Sequence, residues 1–222
     1  MDVVILCGGR GTRLNGERPK PLMEIAGRPI VWHVMSIYAA HGLRDFVLLT
    51  GHRGDEIADW ARGVEWPVEC IDTGEDTPTG GRVHALRERL AAPFCLTYAD
   101  GVADIDLAAL LGHHRATGAL ATMTVVRPEL PFGVAHLEGE RVTGFAEKPV
   151  SDHWVNGGFF VLEPDALAYL DADAVLEREP LERLAADGAL AAHRHTGFWR
   201  CLDTAKDAAA LEEAGPGRWL PI

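Results

Sequence analysis

The chain opens on an unbroken apolar run, "DVVILC" at 2–7, too short for a helix and of the length expected of a strand buried on both faces. Further strand patterns follow at 45–51, 67–74, 93–101 and 119–128. Between them lie segments whose apolar residues recur every three or four positions, at 29–42, 54–63, 81–92 and 105–118. The first has a proline at its start and a glycine at its stop, the usual punctuation of a helix. Strand and helix patterns alternate, which predicts an α/β fold: a Rossmann-like, mostly parallel mixed sheet with helices on both faces.

The pattern then changes. The stretch 132–149 reads as a hairpin turning at Glu138-Gly139-Glu140, 154–164 as another strand, and 177–188 and 203–215 as helices with polar faces. No internal repeat, low-complexity segment or linker interrupts the chain. The simplest organisation is one domain over 1–222 that carries a small inserted antiparallel region.

Composition changes this picture little. Hydrophobic residues make up 47% and charged ones 24%, as in an ordinary globular protein. Cys7, Cys70, Cys95 and Cys201 form no CxxC pair, and neither a leader nor a spanning segment is expected, so the reading is a reduced, cytoplasmic protein. The formal net charge of −12 argues against nucleic acid or a membrane surface as partner. Residues 10 to 20 break the acidic trend, because Arg10, Arg13, Arg18 and Lys20 face only Glu17 there. A cationic loop on an acidic protein suits a small, densely charged anion.

That loop begins "LCGGRGTRL", with three glycines directly after the first strand. Glycine costs stability inside regular elements, so three together call for a backbone that comes close to another molecule. The dinucleotide fingerprint fails because Leu14 stands where the last glycine belongs, and the ATPase loop fails because Glu17-Arg18 replaces Lys-Ser/Thr. What remains is a concave run of backbone N–H groups with Arg13 and Lys20 adding full charges. Nucleotidyl transfer needs this arrangement, since the α-phosphate gains negative charge under attack and pyrophosphate must be stabilised as it leaves.

Gly-Gly-x-Gly-Thr-Arg-Leu followed by Pro19-Lys20-Pro21 resembles the sugar-1-phosphate nucleotidylyltransferases, or sugar-nucleotide pyrophosphorylases. Further segments in order, "CIDTGEDTPTGGRV", "LTYADGVADID", "GFAEKP", "VNGGFFVLEP", "EREPLERLAADG" and "GFWRCLDT", look most like the glucose-1-phosphate cytidylyltransferases of that family. The resemblance implies a nucleotide-diphospho-sugar transferase-like fold, with a nucleotide-binding half over about 1–118 and an acceptor-binding half over about 119–222. It also implies CTP and a phosphorylated small molecule as substrates, glucose 1-phosphate by default, with room for a homo-oligomer. Asp100 and Asp203 would hold a divalent ion, Mg²⁺, which suits a few carboxylate ligands completed by substrate phosphates.

Arg13 and Lys20 are then the expected catalytic cations. Leu6, Gly8, Gly9, Gly11, Thr12, Thr79, Gly80, Gly81, Arg82 and Asp100 join them around the nucleotide. Arg82 carries only donors and so suits the acceptor edge of cytosine, whereas uracil and thymine place an N–H there. Thr79, Gly80 and Gly81 are read as the turn that admits the base. On the acceptor side, Glu147, Lys148, Asn156 and Gly157 match family positions that hold the sugar and its phosphate, and Trp154 stands near them where small residues are usual. His113-His114 and His193-x-His195 read as exposed, and Asp104 and Asp106 as caps of the following helix. Transfer to a non-sugar phosphate or phosphonate, use of UTP or dTTP, and a non-catalytic nucleotide sensor remain open on sequence alone.

Overall fold

The computed structural model describes residues 1–11 and 18–220. The first apolar run forms β1 (Asp2–Leu6). After a 3₁₀ turn over Lys20–Leu22 come a two-residue ribbon, β2 (Glu24–Ile25) and β3 (Arg28–Pro29), and helix α1 (Ile30–Ala40). Next are β4 (Asp45–Thr50), α2 (Gly54–Ala61), β5 (Val68–Asp72) and α3 (Thr79–His84). Then follow β6 (Phe94–Tyr98), β7 (Gly101–Ala103), α4 (Leu107–Thr117) and β8 (Ala121–Val126). The rest comprises β9 (Val134–Glu138), β10 (Arg141–Ala146), β11 (Val155–Leu162), α5 (Glu179–Ala186), β12 (Leu190–Arg194), β13 (Trp199–Cys201) and α6 (Ala205–Ala214).

Seven strands form one sheet in the order β12-β8-β11-β6-β1-β4-β5. β1 pairs in parallel with both β4 and β6, so the chain winds outward through β4 and β5 and then crosses back to β6 on the other side. A crevice opens at the carboxyl ends of strands where the winding reverses, which here is the β1–β6 boundary. β11 is the antiparallel exception and lies inside the sheet, between β6 and β8. The inserted antiparallel region is therefore only the β9–β10 hairpin, outside the main sheet. β7 and β13 form a further two-stranded pair, too short to announce itself by period.

Alternation along β1 divides the core. Val3, Ile5 and Cys7 pack on one side with Met35, Tyr38 and Leu211. Val4 and Leu6 pack on the other with Val83, Leu86 and Leu184. This two-sided burial explains why the strand reads as a continuous apolar run. α3 is shorter than its pattern over 81–92. Beyond His84 the bonds Leu86→Val83 and Arg87→His84 tighten the chain into successive turns, which still bury Leu86 and Leu90.

Two surface readings change: the four histidines expected at the surface are buried or partly buried, and Asp104 is not a helix cap. His114 is buried at 3% exposure, with Nδ1 2.8 Å from Thr122 Oγ1, because α4 lays it on the sheet beside β8. Asp106 caps α4 through Ala109 N–H, but Asp104 instead meets His195 at 3.1 Å. No helix among the described residues is long and apolar enough to cross a membrane.

Candidate active site

The crevice at the β1–β6 switch point contains a cavity of about 420 Å³. Leu6, Gly8, Gly9, Gly11, Lys20, Thr79, Arg82, Asp100 and Asp203 all line it. Thr12 and Arg13, the other loop residues expected there, lie outside the described residues. Gly80 and Gly81 do not line it: the Cβ atoms they lack would point at the carbonyls of Ala174 and Ala172, 2.7 and 2.1 Å away. These two glycines admit the 172–177 segment against the turn, and Gly81 N–H donates to the Ala174 carbonyl at 3.0 Å.

Lys20 is the centre of charge. Its Nζ donates to Asp100 Oδ2 at 2.5 Å and to Asp203 Oδ1 at 2.7 Å. Asp100 follows the end of β6, whereas Asp203 precedes the Thr204–Asp207 capping box of α6, so Thr204 rather than Asp203 caps that helix. Burial by itself would lower the Lys20 pKa, but the two carboxylates outweigh it and raise it above the ordinary lysine value. The ammonium stays charged, and both acids are drawn to one point. Two carboxylates converging on one point are a donor set that a divalent ion could share. Substrate phosphates and water would complete the shell, as magnesium prefers.

Arg82 also lines the cavity and is only 4% exposed. Its Nη1 donates to the Thr50 carbonyl (2.7 Å), Thr73 Oγ1 (2.5 Å) and the Gly74 carbonyl (2.8 Å). Nη2 reaches the carbonyls of Gly8 (3.0 Å) and Glu75 (3.2 Å). One guanidinium thus gathers the loops after β1, β4 and β5. Burial lowers its pKa, with the Asp72 carboxylate acting the other way. Gly8 and Gly51 are glycines for the same reason, since a Cβ there would stand 2.2 Å and 2.5 Å from the guanidinium. Gly11 adopts φ +57°, where an added Cβ would stand 2.9 Å from the Lys20 stem, whereas the Cβ position of Gly9 meets no atom of the described residues within 4 Å.

A second cavity of about 220 Å³ adjoins the first. Asn156 and Gly157 line it, together with Tyr98 and Asp100, which face both cavities. The register of β11 slips between Asn156 and Phe160, and Gly158 at φ +84° lies against the Tyr98 ring. That bulge accounts for the two glycines after Asn156 and re-aims the asparagine. Glu147, Lys148 and Trp154 line neither cavity. Glu147 and Lys148 are exposed at the end of β10, 3.9 Å from each other, with Lys148 in the left-handed region at φ +46°. Trp154 sits farther out beneath the Arg127 and Arg194 guanidinium groups, at 6.0 and 5.6 Å.

Sequence reasoning overlooked Tyr98, Trp199 and Cys201, which all line the second cavity. The available signal was proximity, because each stands within four residues of Asp100 or Asp203. Cys201 is no nucleophile: burial and the nearby Asp100 and Asp203 carboxylates push its thiol up to about 12. The Cys7 thiol is likewise pushed well above its ordinary value, chiefly by burial.

The nucleotidyl transferase family profile matches residues 2–199. The chain is 39% identical to a glucose-1-phosphate cytidylyltransferase of Salmonella typhi, over 99% of the chain and 98% of that protein. It is also 39% identical to a probable glucose-1-phosphate cytidylyltransferase of Bacillus subtilis, over 93% of each. Among solved structures, HddC from Yersinia pseudotuberculosis complexed with GMP-PN superposes with a TM-score of 0.76 at 21% identity, covering 96% of this chain and 98% of that one. A UDP-glucose pyrophosphorylase complexed with UDP-glucose gives 0.75 at 14% identity, covering 96% and 97%. At such identities the structural likeness is one of fold, whereas the full-length sequence match goes further: the chain belongs to the nucleotidyl transferase family.

Proposed function

We propose that the protein transfers CMP from CTP to glucose 1-phosphate, giving CDP-glucose and pyrophosphate. The observation that carries this reading is the Lys20 ammonium held between Asp100 and Asp203 at the carboxyl edge, in a cavity that Gly8, Gly9 and Gly11 also line. The 39% identity to glucose-1-phosphate cytidylyltransferases supports the choice of substrates.

In this reading a phosphate oxygen of the acceptor attacks the α-phosphorus of CTP in line, and the bond to the β-phosphate oxygen breaks. The attacking oxygen is anionic at neutral pH, so no general base is required, and positioning and charge neutralisation supply the rate. Lys20 and Arg13 neutralise the triphosphate and the charge that develops on it. Asp100 and Asp203 would hold a divalent ion, Mg²⁺ in our reading, which supplies further positive charge to the phosphates when bound. Arg82 faces the acceptor edge of cytosine. Thr73 Oγ1 shares the two Nη1 hydrogens with the Thr50 and Gly74 carbonyls, and in this reading the base takes over that shared place. Carbonyls near Leu6 and Gly8 take the amino hydrogens.

On the acceptor side, Asn156 and Gly157 bound the sugar, Glu147 accepts its hydroxyl hydrogens, and Lys148 holds its phosphate as a point charge. The left-handed backbone at Lys148 supports this assignment, because such strain in a residue other than glycine tends to persist where function needs it. Trp154 forms the outer rim. The test is pyrophosphate release from CTP, UTP and dTTP, each with glucose 1-phosphate and with a panel of other phosphates and phosphonates. Turnover confined to CTP with glucose 1-phosphate is expected. Comparable rates with UTP would remove Arg82 from its role, and turnover only with another acceptor would replace the sugar.

A further inference from the structure

One side chain outside both cavities joins them. Glu177, just before α5, accepts the Tyr98 hydroxyl at Oε1 (2.6 Å) and the Thr79 hydroxyl at Oε2 (2.7 Å). Each donor continues a chain. Thr79 Oγ1 itself accepts the Leu176 N–H at 3.0 Å. The Tyr98 oxygen accepts Asn156 Nδ2 at 3.3 Å, and Asn156 Oδ1 accepts the Gly158 N–H at 2.8 Å. An unbroken series of hydrogen bonds therefore runs from the turn at the nucleotide cavity, through Glu177, to the bulge of the acceptor strand. Its members Thr79, Tyr98 and Asn156 line the cavities, and Glu177 does not.

We propose that Glu177 is a positioning residue for the transfer: by taking the Tyr98 hydrogen it fixes the phenol oxygen, and through it the Asn156 amide, beside the acceptor. The inference rests on the reading of the second cavity as the acceptor site. A carboxylate is suited to this task because it has two acceptor oxygens and no hydrogen of its own, so both hydroxyls must point toward it. The Tyr98 phenol gives its one hydrogen to Glu177, which leaves its oxygen lone pairs to accept Asn156 Nδ2 and a group in the cavity. Glu177 is exposed on its outer side, so its loss should disturb aim more than stability.

Glu177→Ala should raise the KM for glucose 1-phosphate about tenfold, leave the KM for CTP within about twofold, and shift the melting temperature by no more than about 3 °C. Glu177→Gln retains an oxygen for the tyrosine proton and should recover most of the loss. Tyr98→Phe should reproduce the acceptor defect, and the double variant should be no worse than the poorer single one, because the two residues act as a unit. Equal losses for both substrates with a falling melting temperature would make Glu177 merely structural, and multiplying effects would detach it from Tyr98; either overturns the proposal. Amide hydrogen exchange reads the same chain without substrate. Glu177→Ala should speed exchange about fivefold or more at both Leu176 and Gly158. Faster exchange at Leu176 alone would refute the coupling. If the wild-type protein releases no pyrophosphate from CTP with any acceptor, the proposed reaction fails, whereas the exchange measurement still decides the chain.

Discussion

The two cavities share Tyr98 and Asp100 but are built in opposite ways. The larger one stands on the ends of parallel strands that have neighbours on both sides, and its charged groups are tied by short bonds: Lys20 to two carboxylates, Arg82 to four carbonyls. The smaller one is bounded by a bulge in β11 and the brief β7–β13 pair, and its expected charged residues stand on a hairpin outside the main sheet. That hairpin exposes Leu137, Val142 and Phe145, at 67%, 62% and 67%, so little packing fixes it. The lesson is a division of labour. On the proposed reading, the tightly bonded end holds the groups that meet developing charge without reorganising, and the less packed end receives the acceptor.

Variants can break or sharpen that contrast. Lys20→Met should have the largest effect, lowering kcat by about 10²–10³-fold as expected for loss of one preorganised charged donor, in steady-state pyrophosphate release. Arg82→Lys comes next. A lysine cannot span the loops after β1, β4 and β5, so urea unfolding should show a loss of about 2–4 kcal/mol from unpaired buried carbonyls, together with a weaker preference for CTP over UTP. Lys148→Ala, at the loose end, should raise the KM for glucose 1-phosphate about tenfold while the KM for CTP and the stability stay near wild type. Equal damage to both substrates would show that the hairpin is as integrated as the β1–β6 crevice. Trp154→Ala should change the acceptor KM by no more than about threefold, since the ring is read only as the outer rim and, unlike Lys148, brings no charge to the phosphate.

The smallest effect concerns pH. His33 on α1 lies within 2.7 Å of the Ile25 carbonyl through Nε2 and accepts Trp219 Nε1 at Nδ1, 3.3 Å away. Burial lowers its pKa below the ordinary 6.5. The unfolded chain therefore binds the proton first, so the stability that His33 contributes is whole above pH 6.5 and declines as the pH falls toward the lowered native value. Thermal melts across that range should show the decline, and His33→Gln should flatten it.

Much of the architecture was legible in the chain. The two-sided burial of β1, the alternation that makes the sheet parallel, the helix punctuated by Pro29 and Gly42, and the placement of Asp100 after a central strand all depend on patterns within about a dozen residues. Hydrophobic period and turn chemistry act over that range, so sequence reading succeeds there. It failed at contacts that the winding of the chain creates. The family resemblance, not any local pattern, placed Lys20 and Asp203 at one site across 183 positions, and the bond of Thr79 to Glu177 across 98 was not foreseen. Gly80 and Gly81 looked like an entrance for a base and proved to be seats for the 172–177 segment. His114 looked exposed because its helix pattern gives no sign that β8 and Glu163 lie against it. The sequence by itself determined which segments become strands and helices and which side chains carry charge. Tertiary structure alone decided which charges face one another and which glycines make room for a neighbour, because strand order and crossover path bring together residues that no local pattern links.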